Sequence, residues 1–530
     1  MQRRQWVLAA AAAGAAAAAG LAGCQRANPA ELQGGWIGQT AERGHRLRDA
    51  RAWPEPAATR RAQVLVLGAG IGGLAAARGF RRRGIDDVHV LELEDEPGGN
   101  SRGHRLAGLA CPLGAHYLPL PTPDAHEVQE WLFEIGLLQQ RLGRTVPEER
   151  HLCHSPQERL FVDGQWVEGL LPPAEPGSAA ARQYRRFADA VAQFQRLGSK
   201  PFALPAHRSV PHADVLALAN LTFAEWLLRH GFDAAPLRWY LDYCCRDDYG
   251  ADSSQVSAWA GIHYFASRHG FHAPGDEGAE RDAVFTWPEG NAWLVARLAA
   301  PLGERFHGGR LVHRVRPGKH EVEVLAFDVK AQRSERWLAR QAVIALPLAV
   351  AARVVDPAPP ALAAAAAATR YAPWLVAQLH LKQPLLERAQ GVPASWDNVL
   401  HGGRTLGYVD ATHQALQAQR GATVLTAYQA LPVAERGALL QRPWQSWAQA
   451  IVDELQAAHP DLPRQLQRVE LMRWGHAMAI PQPGLRQQPA LQALRGAMPA
   501  GFSALRFAHA DLAGYSVFEE AFIAGCEAAA

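Results

Sequence analysis

At 530 residues the chain is several times the length of one typical domain, so two domains, or one large domain with insertions, is the expectation. Hydrophobic residues at 48% and charged residues at 20% exclude wholesale disorder and a collagen-like repeat, and six cysteines in this length exclude a disulfide scaffold. The 54 basic and 51 acidic residues nearly cancel, at +3, and show no concentrated basic face, so nothing in the charge points to nucleic acid.

Met1 to Gly23 begins with Arg3-Arg4, continues into an alanine-rich run and ends at Leu21-Ala22-Gly23-Cys24. This reads as an export signal of the twin-arginine kind, which carries folded proteins. Leu21 to Cys24 resembles the bacterial lipobox, implying a lipid on Cys24 and an anchor on the periplasmic side of a bacterial membrane. A plain membrane anchor or an uncleaved alanine-rich helix is the other reading. Residues 24–60, with Gly34-Gly35, Pro54 and Pro56, read as a surface tether. No later run of eighteen apolar residues follows. Beyond Cys24, five cysteines remain (Cys111, Cys153, Cys244, Cys245 and Cys526), an odd number that cannot all pair internally. His151, Cys153 and His154 have no second cluster at metal spacing, so no metal site is expected.

Val64-Leu65-Val66-Leu67 is a short apolar run, as expected of a parallel strand buried on both faces. Gly68, Gly70 and Gly73 then complete G-x-G-x-x-G, and a helix follows from about Ile71 to Arg83, closed by Gly84. Val88 to Leu91 gives a second strand ending at Glu92, 24 positions after the first glycine. Gly68 permits the tight turn, Gly70 lets backbone approach a pyrophosphate, and Gly73 lets helix and sheet pack closely. The phosphates would sit on the helix N-terminus, and the Glu92 carboxylate would take the ribose hydroxyls and repel a further phosphate, disfavouring NADP. The unit alone leaves FAD and NAD open.

Pro97-Gly98-Gly99-Asn100-Ser101-Arg102 follows, and Leu113-Gly114-Ala115-His116-Tyr117 lies just beyond. Both stretches resemble segments of the flavin-containing amine oxidase family, whose superfamily includes monoamine and polyamine oxidases and phytoene desaturases. The resemblance implies FAD, held non-covalently because no cysteine falls at a flavin-attachment site. It also implies that Gly98 and Gly99 lie beside the diphosphate, that Gly114 and Ala115 pass the isoalloxazine, and that an arginine contacts the cofactor. Asn100 stands where that arginine is usual, and Arg102 comes two residues later. Arg310 to Val315 resembles a returning strand in which Val315 meets adenine. Leu505 to Asp511 resembles the terminal motif, with Asp511 near the ribityl and phosphates. Ser516-Val517-Phe518-Glu519 reads as a capping box opening the last helix.

The fold class is therefore α/β: a discontinuous Rossmann-like FAD-binding domain (61–123, 283–356 and 500–530) with an inserted α+β substrate domain (124–282 and 357–499). In the family a lysine sits near flavin N5, but Val376 occupies the matching place in the strand from Tyr371, and none of the four lysines suits it better. His116 is then a candidate beside N5. Trp474 is expected to border the flavin, and Tyr515 resembles the tyrosine that helps align an amine. The expected activity is FAD-dependent oxidation of a small molecule, an amine or polyamine, by hydride transfer from the carbon next to nitrogen. The alternatives are desaturase-like oxidation of a hydrophobic substrate and a non-catalytic FAD-binding lipoprotein.

Overall fold

The computed structural model describes residues 32–530 apart from 39, 50–51, 198–199, 269, 275–282, 388–390 and 416–420, so the export signal and Cys24 lie outside the described residues. Among the described residues, a seven-stranded sheet runs in the order Phe306–His307, Val88–Leu91, Pro56–Leu67, Arg333–Ile344, Val322–Asp328, Arg310–Pro317. Its seventh strand, Leu505–Phe507, pairs parallel with Arg333–Ile344. The first four strands are mutually parallel, with Val64 beside Val88 and Leu67 beside both Leu91 and Ile344. Val64 to Leu67 are buried on both faces, as their unbroken apolar run requires. The helix Ile71–Arg82 crosses one face and shares its core with Phe522 and Ile523 of the C-terminal helix Phe518–Ala528. The two ends of the sequence thus close one layer.

A second sheet, eight-stranded among the described residues, is centred on Tyr371–Leu381, which pairs antiparallel with Thr423–Ala430 on one side and Leu466–Ala479 on the other. Every residue of Tyr371–Leu381 is buried, because both faces are covered. Leu375, Ala377 and Leu379 pack on the helix Trp444–Gln456. Trp374 and Val376 face a layer built from the helices Ala179–Gln195, Ala235–Tyr249 and Ala258–Ala266. The alternation follows from the two-residue period of a strand. Each fully buried Leu or Val contributes about 1.5–3 kcal/mol, so this strand anchors the second half.

Two expectations are corrected. From residue 32 onward the tether stretch is packed: Gly34–Trp36 adds as a parallel edge strand to Val469–Leu471, Ala41–Asp49 is a helix, and the first long strand begins at Pro56. The capping box is absent, since Val517 is the N-cap and has no side-chain acceptor. The Ser516 hydroxyl oxygen accepts from the Ala479 amide instead, joining the last helix to the second sheet. All five described cysteines are free, and no described helix is long and apolar enough to cross a membrane.

Candidate active site

The glycine turn is built by backbone contacts that leave no room for side chains. Gly68 has φ of 100°, and a Cβ on Gly73 would stand 1.9 Å from the Gly68 carbonyl oxygen. Around Gly70 the reverse holds: a Cβ there would meet nothing within 4 Å. The Gly98 amide donates to Ala69 O at 2.8 Å, and a Cβ on Gly99 would lie 3.3 Å from the Gly70 Cα, so the double glycine lies across the turn. Glu92 caps the arrangement, with its carboxylate accepting from the amides of Ala69 (2.7 Å) and Glu94 (3.0 Å). Burial pushes this carboxyl up, against the pull of those two amides.

Beyond the double glycine the chain doubles back. The Leu113 amide donates to Arg102 O and the Ala115 amide to Asn100 O, placing Gly114-Ala115 directly beside Asn100–Arg102. The Trp474 indole N–H donates to Leu113 O at 2.8 Å, and the Arg102 guanidinium lies 5.5 Å from the centre of the Trp474 ring. Arg102 is buried, yet its Nε and one Nη have no hydrogen-bond acceptor. A buried cation with idle donors is costly unless an anion meets it.

Past this shelf lies a cluster of aromatic rings. Val376 is in register with Tyr428 on one side and Met472 on the other. The Tyr428 hydroxyl donates to Gly114 O at 3.0 Å, and His116 stacks on the Tyr428 ring with centroids 4.4 Å apart. Trp396 lies 5.4 Å from His116 and 6.0 Å from Tyr117. His116, Tyr117, Tyr264, Asp247 and Asp397 all keep part of their surface open. Burial holds the His116 imidazole down at about 4, so it is neutral near pH 7. The Asp247 carboxyl is pushed up to about 7 by burial and by Asp248, and burial with Asp247 raises Asp397 as well. Asp397 and Glu158 are register partners on adjacent parallel strands, which lie about 4.8 Å apart, so both carboxylates share one face. Arg268 is spent on Asp248 at 3.9 Å, and neither Asp247 nor Asp397 makes an ion pair among the described residues.

Residues 71–530 match the family model for flavin-containing amine oxidoreductases, most of the chain. The chain belongs to that family. It is 28% identical over 306 residues to the flavin-containing monoamine oxidase AofH of Mycobacterium tuberculosis, covering 56% of this chain and 60% of that one. It is also 28% identical over 284 residues to hydroxyneurosporene desaturase of Cereibacter sphaeroides, covering 48% and 50%. The chain thus spans about three-fifths or less of these curated relatives. Among solved structures, putrescine oxidase bound to putrescine superposes with a TM-score of 0.67 at 18% identity, covering 89% of this chain and 98% of that one. At that identity the likeness establishes the fold.

FAD is the cofactor of this family member, and its residues fit the group: an open cradle at Gly70 and idle buried donors on Arg102, with Gly98-Gly99 laid across the glycine turn and Gly114 packed on Asn100. The structure brings together Gly68, Gly70, Gly73, Glu92, Gly98, Gly99, Arg102, Gly114, Ala115, His116 and Trp474. Three other candidates are placed elsewhere. Val315 is fully buried and bridged to Val355, with its carbonyl accepting from the Asp356 amide at 2.8 Å, so its backbone is engaged inside the fold. The fully buried Asp511 carboxylate accepts through one oxygen from the Leu348 amide and the Tyr371 hydroxyl, which ties the terminal motif to the sheets, while its other oxygen lies 3.1 Å from His509 Nδ1.

Tyr515 is 1% exposed, packs among Tyr249, Trp259 and His263, and donates its hydroxyl to Glu520 at 2.8 Å. Its ring has no open face with which to flank a substrate. Tyr515→Phe is therefore expected to cost about 1 kcal/mol in denaturant unfolding, the worth of one hydrogen bond, while KM stays unchanged. A rise in KM without loss of stability would restore the cage role. Asp397, Tyr428 and Trp396 were not foreseen.

Proposed function

We propose that the protein oxidises a small amine, and that the preferred substrate carries a second cationic nitrogen. The observation that carries this reading is the pair of half-buried acids, Asp247 and Asp397, neither in an ion pair among the described residues and both close enough to the aromatic cluster to act on Tyr117 and Tyr428. A buried carboxylate without a counter-ion is costly, and an ammonium group relieves that cost. Bound FAD accepts a hydride from the carbon next to an amine nitrogen. The protein's own part is binding and orientation. Asp247 and Asp397 hold the far ammonium, while Trp396, Tyr117 and Tyr428 wall the alkyl chain and exclude water. His116, neutral at working pH, can exchange a hydrogen bond with the reacting nitrogen, whose proton leaves to solvent before the substrate binds as the free amine.

A desaturase-like reaction is the second reading, supported by Val376 at the place of the family lysine and by the similarity to hydroxyneurosporene desaturase. The test is anaerobic bleaching of the purified, FAD-loaded protein by a panel of diamines, matched monoamines and a polyene. Bleaching by diamines at lower concentration than by monoamines is expected. Reduction by the polyene alone would favour the second reading, and reduction by none would leave a non-catalytic FAD-binding lipoprotein. The FAD is expected to come off on acid precipitation, since no covalent link is proposed.

We also infer export and lipid anchoring, supported by Arg3-Arg4 and Leu21 to Cys24. Cys24 lies eight residues before the first described residue, which limits the reach from a lipid to about 30 Å. Cys24→Ala is expected to abolish incorporation of radiolabelled palmitate and to release the protein from the membrane fraction. Unchanged labelling would overturn the anchor.

A further inference from the structure

The N-terminal stretch that composition marks as a tether runs along the nucleotide site. It starts on the second sheet, where a Cβ on Gly34 would stand 1.6 Å from Val469 O, so only glycine permits this strand to dock. Gly38 sits against Met472 and Leu113, at the flavin end of the shelf. Thr40 and Arg43 then reach residues 93–95, directly after Glu92, at the ribose end. The Thr40 amide and hydroxyl donate to the two oxygens of Glu94 at 3.1 and 3.3 Å. Arg43 donates to Leu93 O at 3.2 Å and to Asp95 at 3.0 Å, and lies 3.9 Å from Glu94.

The charges explain why this contact matters. Glu92, Glu94, Asp95 and Glu96 put four carboxylates within five residues, immediately before the double glycine that must receive a diphosphate. Unneutralised, they would repel it. Glu94 is also 4.0 Å from Arg102, the buried cation whose Nε and one Nη are idle. With Thr40 and Arg43 in place, Glu94 already has donors and does not need Arg102. Without them, Glu94 is left to claim Arg102 for itself.

We propose that residues 34–49 are a fastener of the cofactor site, in which Thr40 and Arg43 hold Glu94 and so leave Arg102 free for the FAD diphosphate. Thr40 and Arg43 are positioning residues that act through Glu94. The inference rests on FAD being the occupant. Its consequence is that docking of the segment and retention of the cofactor are coupled, each favouring the other.

The test is FAD release from the full-length, FAD-loaded protein, followed by the rise in free-flavin fluorescence after dilution. Arg43→Gln and Gly34→Val are expected to release FAD about tenfold faster, the worth of a hydrogen bond to a charged group. Arg43→Lys should recover part of the loss, and Arg150→Gln, whose exposed guanidinium pairs with Glu148 outside the segment, should release as the parent does. A merely structural role would lower the melting temperature of the FAD-free variants without changing the release rate, and that result would overturn the proposal. A second arm needs no variant: amide exchange across residues 34–49 should slow when FAD is added to the stripped parent protein. Equal exchange with and without FAD would also overturn it. A protein that binds no FAD at all would sink the cofactor assignment instead, which keeps the two failures apart.

Discussion

Gly70→Val is expected to give a folded but colourless protein. Gly70 has φ of −70° and ψ of 178°, ordinary for any residue, and its Cβ position is open space. Nothing in the polypeptide objects to a side chain there. The space belongs to the groove between the glycine turn and Gly98-Gly99, where the amides at the start of the helix Ile71–Arg82 are available to a pyrophosphate. FAD affinity should fall at least about 100-fold, or about 2.7 kcal/mol, while circular dichroism and the melting temperature without cofactor stay close to the parent's. Gly73→Ala supplies the contrast. Its methyl group would overlap the Gly68 carbonyl oxygen, so it should damage the sheet–helix junction and lower stability with or without FAD. A yellow Gly70→Val protein with unchanged FAD affinity would show that the open space is not the cofactor's.

Asp247→Asn and Asp397→Asn are expected to raise KM for a diamine about 10- to 100-fold while sparing a monoamine of the same length, since each removes one charged hydrogen-bond acceptor from the far end of the site. The pH dependence has a defined sign. With the Asp247 carboxyl at about 7, the site loses a negative charge as pH falls from 8 to 6, so diamine KM should rise toward acid. Asp248, Asp397, Glu158, Arg246 and Arg268 bear on this group, so Asp247→Asn is expected to remove the inflection that Asp247 contributes. His116, held at about 4, stays neutral throughout, so His116→Gln should leave the inflection in place.

Stability should run the other way. The folded state binds the Asp247 proton more tightly than the unfolded chain does. Its contribution is therefore full below about pH 4 and is lost as pH rises through about 7. Asp247→Asn should consequently melt higher than the parent at pH 8 in the absence of substrate. If both Asn variants bind diamines and monoamines as the parent does, the carboxylates are not a substrate site.

The parts legible in the sequence are those whose chemistry is local. Gly68, Gly70, Gly73 and Glu92 lie on one strand–turn–helix–strand unit, so their spacing alone brings them to one end of one sheet. Trp474 is brought to Leu113, 361 residues away, by the strand Leu466–Ala479, a contact that rests on the fold and not on local spacing. Tyr515 and Asp511 lie within a few residues of the expected motif, yet the hydrogen bonds that hold them come from partners the motif does not name. Glu520 holds the Tyr515 hydroxyl, and Tyr371, 140 residues upstream of Asp511, holds the carboxylate. Residues 32–49 show the same limit from the other side. Glycine, proline and charge looked like a free tether, but the unpaired edge of Val469–Leu471, more than 400 residues away, turns three of them into a strand.

The amino-acid order by itself determined the glycine turn and its acid, because a phosphate cradle needs glycines and a helix N-terminus at fixed short spacings. Only the tertiary structure decided the charge beside the aromatic cluster and the neighbours of Arg102. Asp247 on a helix and Asp397 on a strand meet across 150 intervening residues, and Arg43 reaches Glu94 across fifty. Such meetings depend on which faces the packed sheets and helices bury, a property of the whole fold that no short stretch of sequence carries.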